Sequence, residues 1–395
     1  LYNSGAYSAP DESRAKMLLI VGHSFRIKGD LESARRLYEL VEAKYPDRPE
    51  GSEAGYRKLQ ILHQQGDPLL PAAAARFADQ QRKIDPESKF IDMAYLMAAE
   101  WHFSQAENSA SGAGSDFAIK HYKDAAAAYR QVRVGNIDEK YHEASLYKQG
   151  WAEVEGGERS EGILTLSRFI QRYADSKLAS SALAKRAMAY QAQEDHQFAL
   201  GDYLDIAKRH PDSPELEFAL QQTALIYAHL RKIPEMIQAY KDLLAKFPAT
   251  KGAGEAHYWI GVGHFDLEEF AAALVELKKA REMDAEYDDK ATLRIVIAQY
   301  QLEEIDQLAK ETRHYLENVP AVAVDATPVK RPTIPPQIIE YLGRKLAEAD
   351  NFKDAEYFLT FISDPKDPTK TTASVWKLLA ECRSKLKKHK ETIEA

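Results

Sequence analysis

The sequence predicts an all-α solenoid built from stacked helix pairs, and three observations carry that prediction. Gly150, Ala187, Ala224 and Gly261 recur at intervals of 37 residues, with Ala298 continuing the series. Further columns run in phase: Gly162, Ala199, Met236 and Ala273; Leu166, Tyr203, Tyr240 and Leu277; Ala174, Pro211, Pro248 and Ala285. Self-similarity at one fixed period of this length marks a chain whose repeating unit cannot bury its own apolar face and must stack. Second, one period reads as two helices: Glu215 to Leu230, a break at "RKIP", then Glu235 to Lys246 before Pro248. Third, "AHYWIGVGHFD" sets Gly261 and Gly263 inside an amphipathic helix. Glycine there costs about 1 kcal/mol relative to alanine, which makes sense only if another backbone must come close.

Along the chain, the first unit is carried by Gly22, Phe25, Ala34, Tyr38 and Pro46, at the offsets of the later repeats. Residues 51 to 86 and 88 to 136 read as helix pairs with poorer motifs. Within the latter, "SQAENSASGAGSD" (104–116) is small, polar and glycine-bearing, and is expected to be a mobile loop between two helices. The pattern is strongest from about 143 to 285. The segment "VPAVAVDATPVKRPTIPPQ" (319–337) carries five prolines and cannot be helical for most of its length. It is either a linker or a loop packed along the solenoid, and the return of repeat-like helices directly after it favours the packed loop. "LGRKLAEADNFKDAEYFLTFI" then supplies Gly343 and Ala355, again 12 apart, and "SVWKLLAECRSKL" reads as a final first helix. The expected organisation is thus a solenoid over 1–318, a Pro-rich loop or linker over 319–337 and further helices of the same kind over 338–395.

A small residue on helix A, an aromatic three residues later, a small residue and an aromatic on helix B and a closing proline resemble the tetratricopeptide repeat (TPR). The resemblance implies a right-handed superhelical solenoid of about nine to ten helix pairs. The 37-residue period departs from the usual length of about 34, as does Met236 where alanine is usual. The longer period, with tails such as "YADSKLASSALAKRAMAY", is similar to the TPRs of bacterial periplasmic and outer-membrane assembly proteins, such as the Tol-Pal coordinator and barrel-assembly lipoproteins. It implies a periplasmic or outer-membrane location, with the cytoplasm as the alternative.

Composition narrows the function. The 395 residues are 45% hydrophobic, enough for substantial cores, and 53 Lys and Arg against 61 Asp and Glu give a net charge of −8, which argues against nucleic acid as a general partner. Cys382 is the single cysteine, so no disulfide framework or cysteine-rich zinc site forms within one chain. No apolar run is long enough to span a bilayer; "KMLLIV" is typical. The start at Leu1 rather than methionine leaves room for a removed signal peptide or N-terminal anchor.

Catalytic motifs are sparse. "SRAK" and "SVWK" match Ser-x-x-Lys without a Lys-Thr-Gly partner, and no Walker loop, Gly-x-Ser-x-Gly elbow or His-Glu-x-x-His occurs. "GVGHFD" lies in mid-helix without a preceding strand and reads as packing. His257 and His264 share a helix face near Asp266, yet two turns is too wide for one ion without ligands from a neighbouring helix. Neither catalytic residues, metal ligands nor a cofactor are therefore assigned.

The resemblance places helix A on the concave face. Offsets around the small residue put Tyr147, Trp151, Met188, Leu225, Tyr258 and Phe265 there, as an apolar groove suited to a protein or peptide segment; packing between units is the competing reading for each. The expected function is a non-enzymatic scaffold in envelope assembly or secretion. The alternative is an enzyme on a helical scaffold, such as a polysaccharide-acting α/α toroid, which needs two carboxylates converging in a cleft.

Overall fold

Why the small residues recur becomes visible once the two helices of a pair are laid together. The computed structural model describes residues 11–109, 115–133, 135–317, 333–364 and 371–387. Among them are nineteen α-helices and no strand: nine pairs followed by one further helix. Contacts divide the chain into two compact units, Leu1–Leu216 and Glu217–Ala395.

The first unit holds α1 (Asp11–Ile27), α2 (Leu31–Lys44), α3 (Pro49–Gln65), α4 (Leu70–Ile84), α5 (Lys89–Asn108), α6 (Asp116–Tyr129), α7 (Glu139–Glu155), α8 (Arg159–Arg172), α9 (Ala179–Gln191) and α10 (His196–Arg209). Its core is a string of small clusters, each shared by one helix pair and the next helix. Ala34, Tyr38 and Val41 of α2 meet Ala54 and Ile61 of α3; Phe103 of α5 and Tyr122 of α6 meet Ala152 of α7; Tyr147, Leu166 and Phe169 meet Ala182 of α9. No pair closes its own core, which is the physical content of a repeat array. An ion pair locks the exit from α6: Asp92 on α5 is fully buried and accepts hydrogen bonds from the backbone N–H of Arg133 at 2.7 Å, the Arg133 guanidinium at 2.9 Å and Asn136 at 2.9 Å.

The second unit holds α11 (Leu216–His229), α12 (Ile233–Lys246), α13 (Ala253–Asp266), α14 (Phe270–Met283), α15 (Asp288–Gln301), α16 (Ile305–Glu317), α17 (Pro336–Glu348), α18 (Phe352–Ile362) and α19 (Ala373–Lys385). The same stringing holds: Met236 and Tyr240 of α12 pack with Ala256 and Ile260 of α13. Helices α15 to α19 share one cluster, including Leu308, Leu342, Phe358 and Leu379, which Ile334 joins from the residues just before α17.

The glycines explain themselves here. A Cβ on Gly261 would lie 2.8 Å from Cγ and 3.0 Å from the backbone N of Leu277 on α14, and one on Gly150 would lie 2.7 Å from Cγ of Leu166 on α8. Helix A lies too close to helix B for any side chain at that point. Gly263 faces the other way, toward α12: its Cβ would meet Ile237 Cγ1 at 2.7 Å and Met236 Cε at 2.9 Å. Met236, 2% exposed, is thus accommodated at an alanine position because Gly263 opposite has no side chain. The A-to-B corner needs a left-handed residue, and Gly157, Glu194, Arg231 and Glu268 adopt φ of 88°, 64°, 56° and 59°.

Two local expectations differ from the structure. Residues Ser104 to Asn108 of the stretch expected to be a loop continue α5, which the capping Ser115 of α6 follows after a short connection; residues 110–114 of that stretch lie outside the described residues. Ile233 and Pro234 begin α12 instead of breaking the chain, because proline in the first helical turn lacks only an N–H that has no partner there. Of the Pro-rich segment, residues 319–332 lie outside the described residues.

Candidate functional site

Odd-numbered helices touch one another in sequence: α1 with α3, α3 with α5, α5 with α7 and α7 with α9 in the first unit, and α13 with α15 and α17 with α19 in the second. Helices A therefore line up side by side from α1 to α9 in the first unit, and as the neighbours α13–α15 and α17–α19 in the second, and the six expected groove residues all come from helices A.

In the first unit, Trp151 is half-buried on α7 and stands edge-on to Phe103 of α5 at 5.2 Å and near Tyr147 at 5.8 Å. Lys185 of α9 lies over the indole, its Nζ 4.2 Å from the ring centroid, while pairing with Glu155 at 2.9 Å. Lys148 lies 5.3 Å from the Phe103 ring centroid and pairs with Glu100. Met188, one period after Trp151, is 41% exposed. Tyr147 instead points into the core against Phe169 at 5.6 Å, and burial pushes its phenol up to about 12.

In the second unit, Leu225 on α11 and Phe265 on α13 are half-buried, the latter edge-on to Phe270 at 5.5 Å. Tyr258 is buried: it stacks on Tyr287 at 4.8 Å and accepts a 2.9 Å hydrogen bond from the Arg294 guanidinium. Tyr147 and Tyr258 thus offer little surface. In neither unit is the A-helix side simply apolar, since Lys148 and Lys185 sit among the aromatics of the first and Arg294 among those of the second. The signal for the lysines was in the sequence, because Lys148 and Lys185 are one 37-residue period apart.

The histidines separate into ordinary and unusual. His257 is 2.5 Å from Glu276 of α14, and His264 is 2.5 Å from Glu269 beyond the end of its own helix, so the pair does not converge. Among the described residues, His102, His121 and Asp124 instead bring three donor atoms within 4.8 Å of one another, a set the sequence reading did not single out. Burial lowers both imidazoles below the ordinary histidine value; Asp124 opposes that shift and Lys120 adds to it. Cys382 is fully buried and its thiol is pushed up to about 11 by burial, which leaves it a small packed apolar group.

The family profile for the tetratricopeptide repeat matches residues 144–176, which cover most of α7, all of α8 and the first residues after it. This one helix pair of the chain thus matches the tetratricopeptide repeat. Outside that TPR unit, the same small-residue contact between helix A and helix B recurs at Gly22, Gly261 and Gly343. Among solved structures, a TPR protein from Parabacteroides merdae is 14% identical, with 68% of this chain and 93% of that one covered and a TM-score of 0.36. The C-terminal part of a TPR protein from Cytophaga hutchinsonii is 11% identical over 67% of this chain and 96% of that one, TM-score 0.44. RapI in its apo form is 14% identical over 95% and 98%, TM-score 0.41. No curated protein matches the chain. No helix among the described residues is long and apolar enough to cross a membrane.

Proposed function

We propose that this protein is a non-enzymatic TPR scaffold that binds a segment of a protein partner on its A-helix faces, through Trp151 and Met188 in the first unit and Leu225 and Phe265 in the second, with the buried Tyr147 and Tyr258 supporting them from beneath. The observation that carries this reading is the exposed Met188 beside the Lys185–Trp151 stack, an apolar contact with flanking charge on helices that line one face. Aromatic and methionine side chains dominate such interfaces, while the paired ammonium groups set orientation and salt dependence. Binding should therefore weaken as salt rises, since Lys148 and Lys185 border the contact.

The test is capture of the partner by the native full-length protein, followed by affinity measurement with Met188→Asp. A tenfold or greater loss, about 1.4 kcal/mol, with an unchanged thermal midpoint supports the reading; unchanged affinity moves the site off α9. The further proposal of a role in bacterial envelope assembly or secretion rests on the long period and its tails, and fractionation of native cells tests it separately.

A further inference from the structure

Helices α5 and α6 form an antiparallel hairpin, and near the end where residues 109–115 join them, two imidazoles face each other. His102 of α5 and His121 of α6 bring their Nδ1 atoms to 2.9 Å. Asp124, one turn along α6 from His121, places a carboxylate oxygen 4.0 Å from His102 Nδ1. Two imidazole nitrogens at this distance either share one proton or direct both lone pairs at a common point.

The surroundings hold these rings in place. Trp101 stands edge-on to His102 at 5.1 Å and to His121 at 5.7 Å, and Phe117 lies 4.3 Å from the His121 ring. The Trp101 indole is itself anchored, donating to the Gly66 carbonyl at 3.1 Å. Such fixing of ligand rings by a surrounding shell is what a metal site requires. We propose that His102, His121 and Asp124 bind a first-row divalent transition metal ion, zinc above all. Two neutral imidazoles and one carboxylate suit zinc, copper or nickel, and lack the oxygen-rich shell that calcium or magnesium takes.

The distances allow it. Donors on a tetrahedral zinc, with bonds of about 2.0 Å, lie about 3.3 Å apart, so the histidine pair must open by a few tenths of an ångström and the carboxylate must move in. Asp124, with a 44% exposed side chain, is free to make that movement. Lys120 opposes a cation here and Asp124 favours one. Three protein donors leave one position for water or for a side chain of a partner, and the ion would clip the α5–α6 hairpin.

Zinc chloride titrated calorimetrically into the purified full chain should show one strong equivalent, and cobalt chloride should give the intense visible bands of a tetrahedral site. The His102→Ala/His121→Ala double variant should weaken zinc by at least about 100-fold, more than loss of a supporting group costs. Because removing rings that touch Trp101 risks the fold, Asp124→Asn serves as the second variant. It should keep the metal-free melt of wild type, weaken zinc about tenfold or more, and lose most of the zinc-induced rise in melting temperature that wild type shows. Equal zinc affinity in wild type and both variants, or a cobalt complex without tetrahedral bands, overturns the proposal.

Discussion

Substituting alanine at Gly261 and at Gly201 should change stability in opposite directions, although both lie inside helices. Exchanging glycine for alanine in a helix interior stabilises by about 0.5–1 kcal/mol through backbone entropy alone. At Gly201 on α10 nothing lies within 4 Å of the added methyl, so that gain appears undiminished. At Gly261 the methyl lies 2.8 Å and 2.9 Å from two Leu277 side-chain carbons and 3.0 Å from its backbone nitrogen. The branch carbon and backbone of α14 cannot swing aside as a flexible tip would. Overpacking of this kind costs about 1–3 kcal/mol; set against the gain, the net effect is a loss of up to about 2 kcal/mol, and the two variants should differ by the overpacking cost, about 1–3 kcal/mol. Urea unfolding followed by far-UV circular dichroism reads the sign from the midpoint, and hydrogen exchange on α10 and α13 locates it. A Gly261→Ala variant as stable as Gly201→Ala would refute the close-approach reasoning.

Other outcomes follow from the same geometry. Ala187→Leu and Ala224→Leu, both at positions with 0% exposure, should each destabilise by about 1–3 kcal/mol in thermal melts. Burial raises the Asp92 carboxyl, but hydrogen bonds from the Arg133 side chain, its backbone N–H and Asn136 outweigh it and hold the group below its ordinary value. Its stabilisation is therefore present above the ordinary carboxylate range of about 4 and is lost as pH falls through the lower folded value. Asp92→Asn should reduce stability at neutral pH and flatten its decline in acid, as melts across pH would show. Trp151→Ala should cost about 2 kcal/mol in thermal melts, because the indole packs against both the Phe103 and the Tyr147 clusters; Met188→Asp is the cleaner probe of binding.

What the sequence revealed and what it hid divide along a physical line. The spacing of Gly150, Ala187, Ala224 and Gly261 was legible because backbone proximity admits only small residues and the period repeats the demand. Tyr147 and Tyr258 belong to the same A-helix columns, yet no spacing tells whether a side chain there leans inward against Phe169 or Tyr287 or outward to a partner. The pairing of Lys185 with Trp151 needed the neighbouring helix, though the lysine column was in phase. His102 and His121 were out of reach, since the phase of α5 against α6 is not carried by the period and 19 residues of separation have no motif meaning.

Two missing side chains on α13 also reshape how the array holds together. Gly261 opens one side of the helix to α14 and Gly263 opens another to α12, so the helix has surrendered roughly 2 kcal/mol of its own tendency to form in exchange for contact on both flanks. Its order is then borrowed from its neighbours. When α12 or α14 frays, α13 has little reason to persist, and disorder entering the second unit at this point should spread in both directions instead of stopping at one helix.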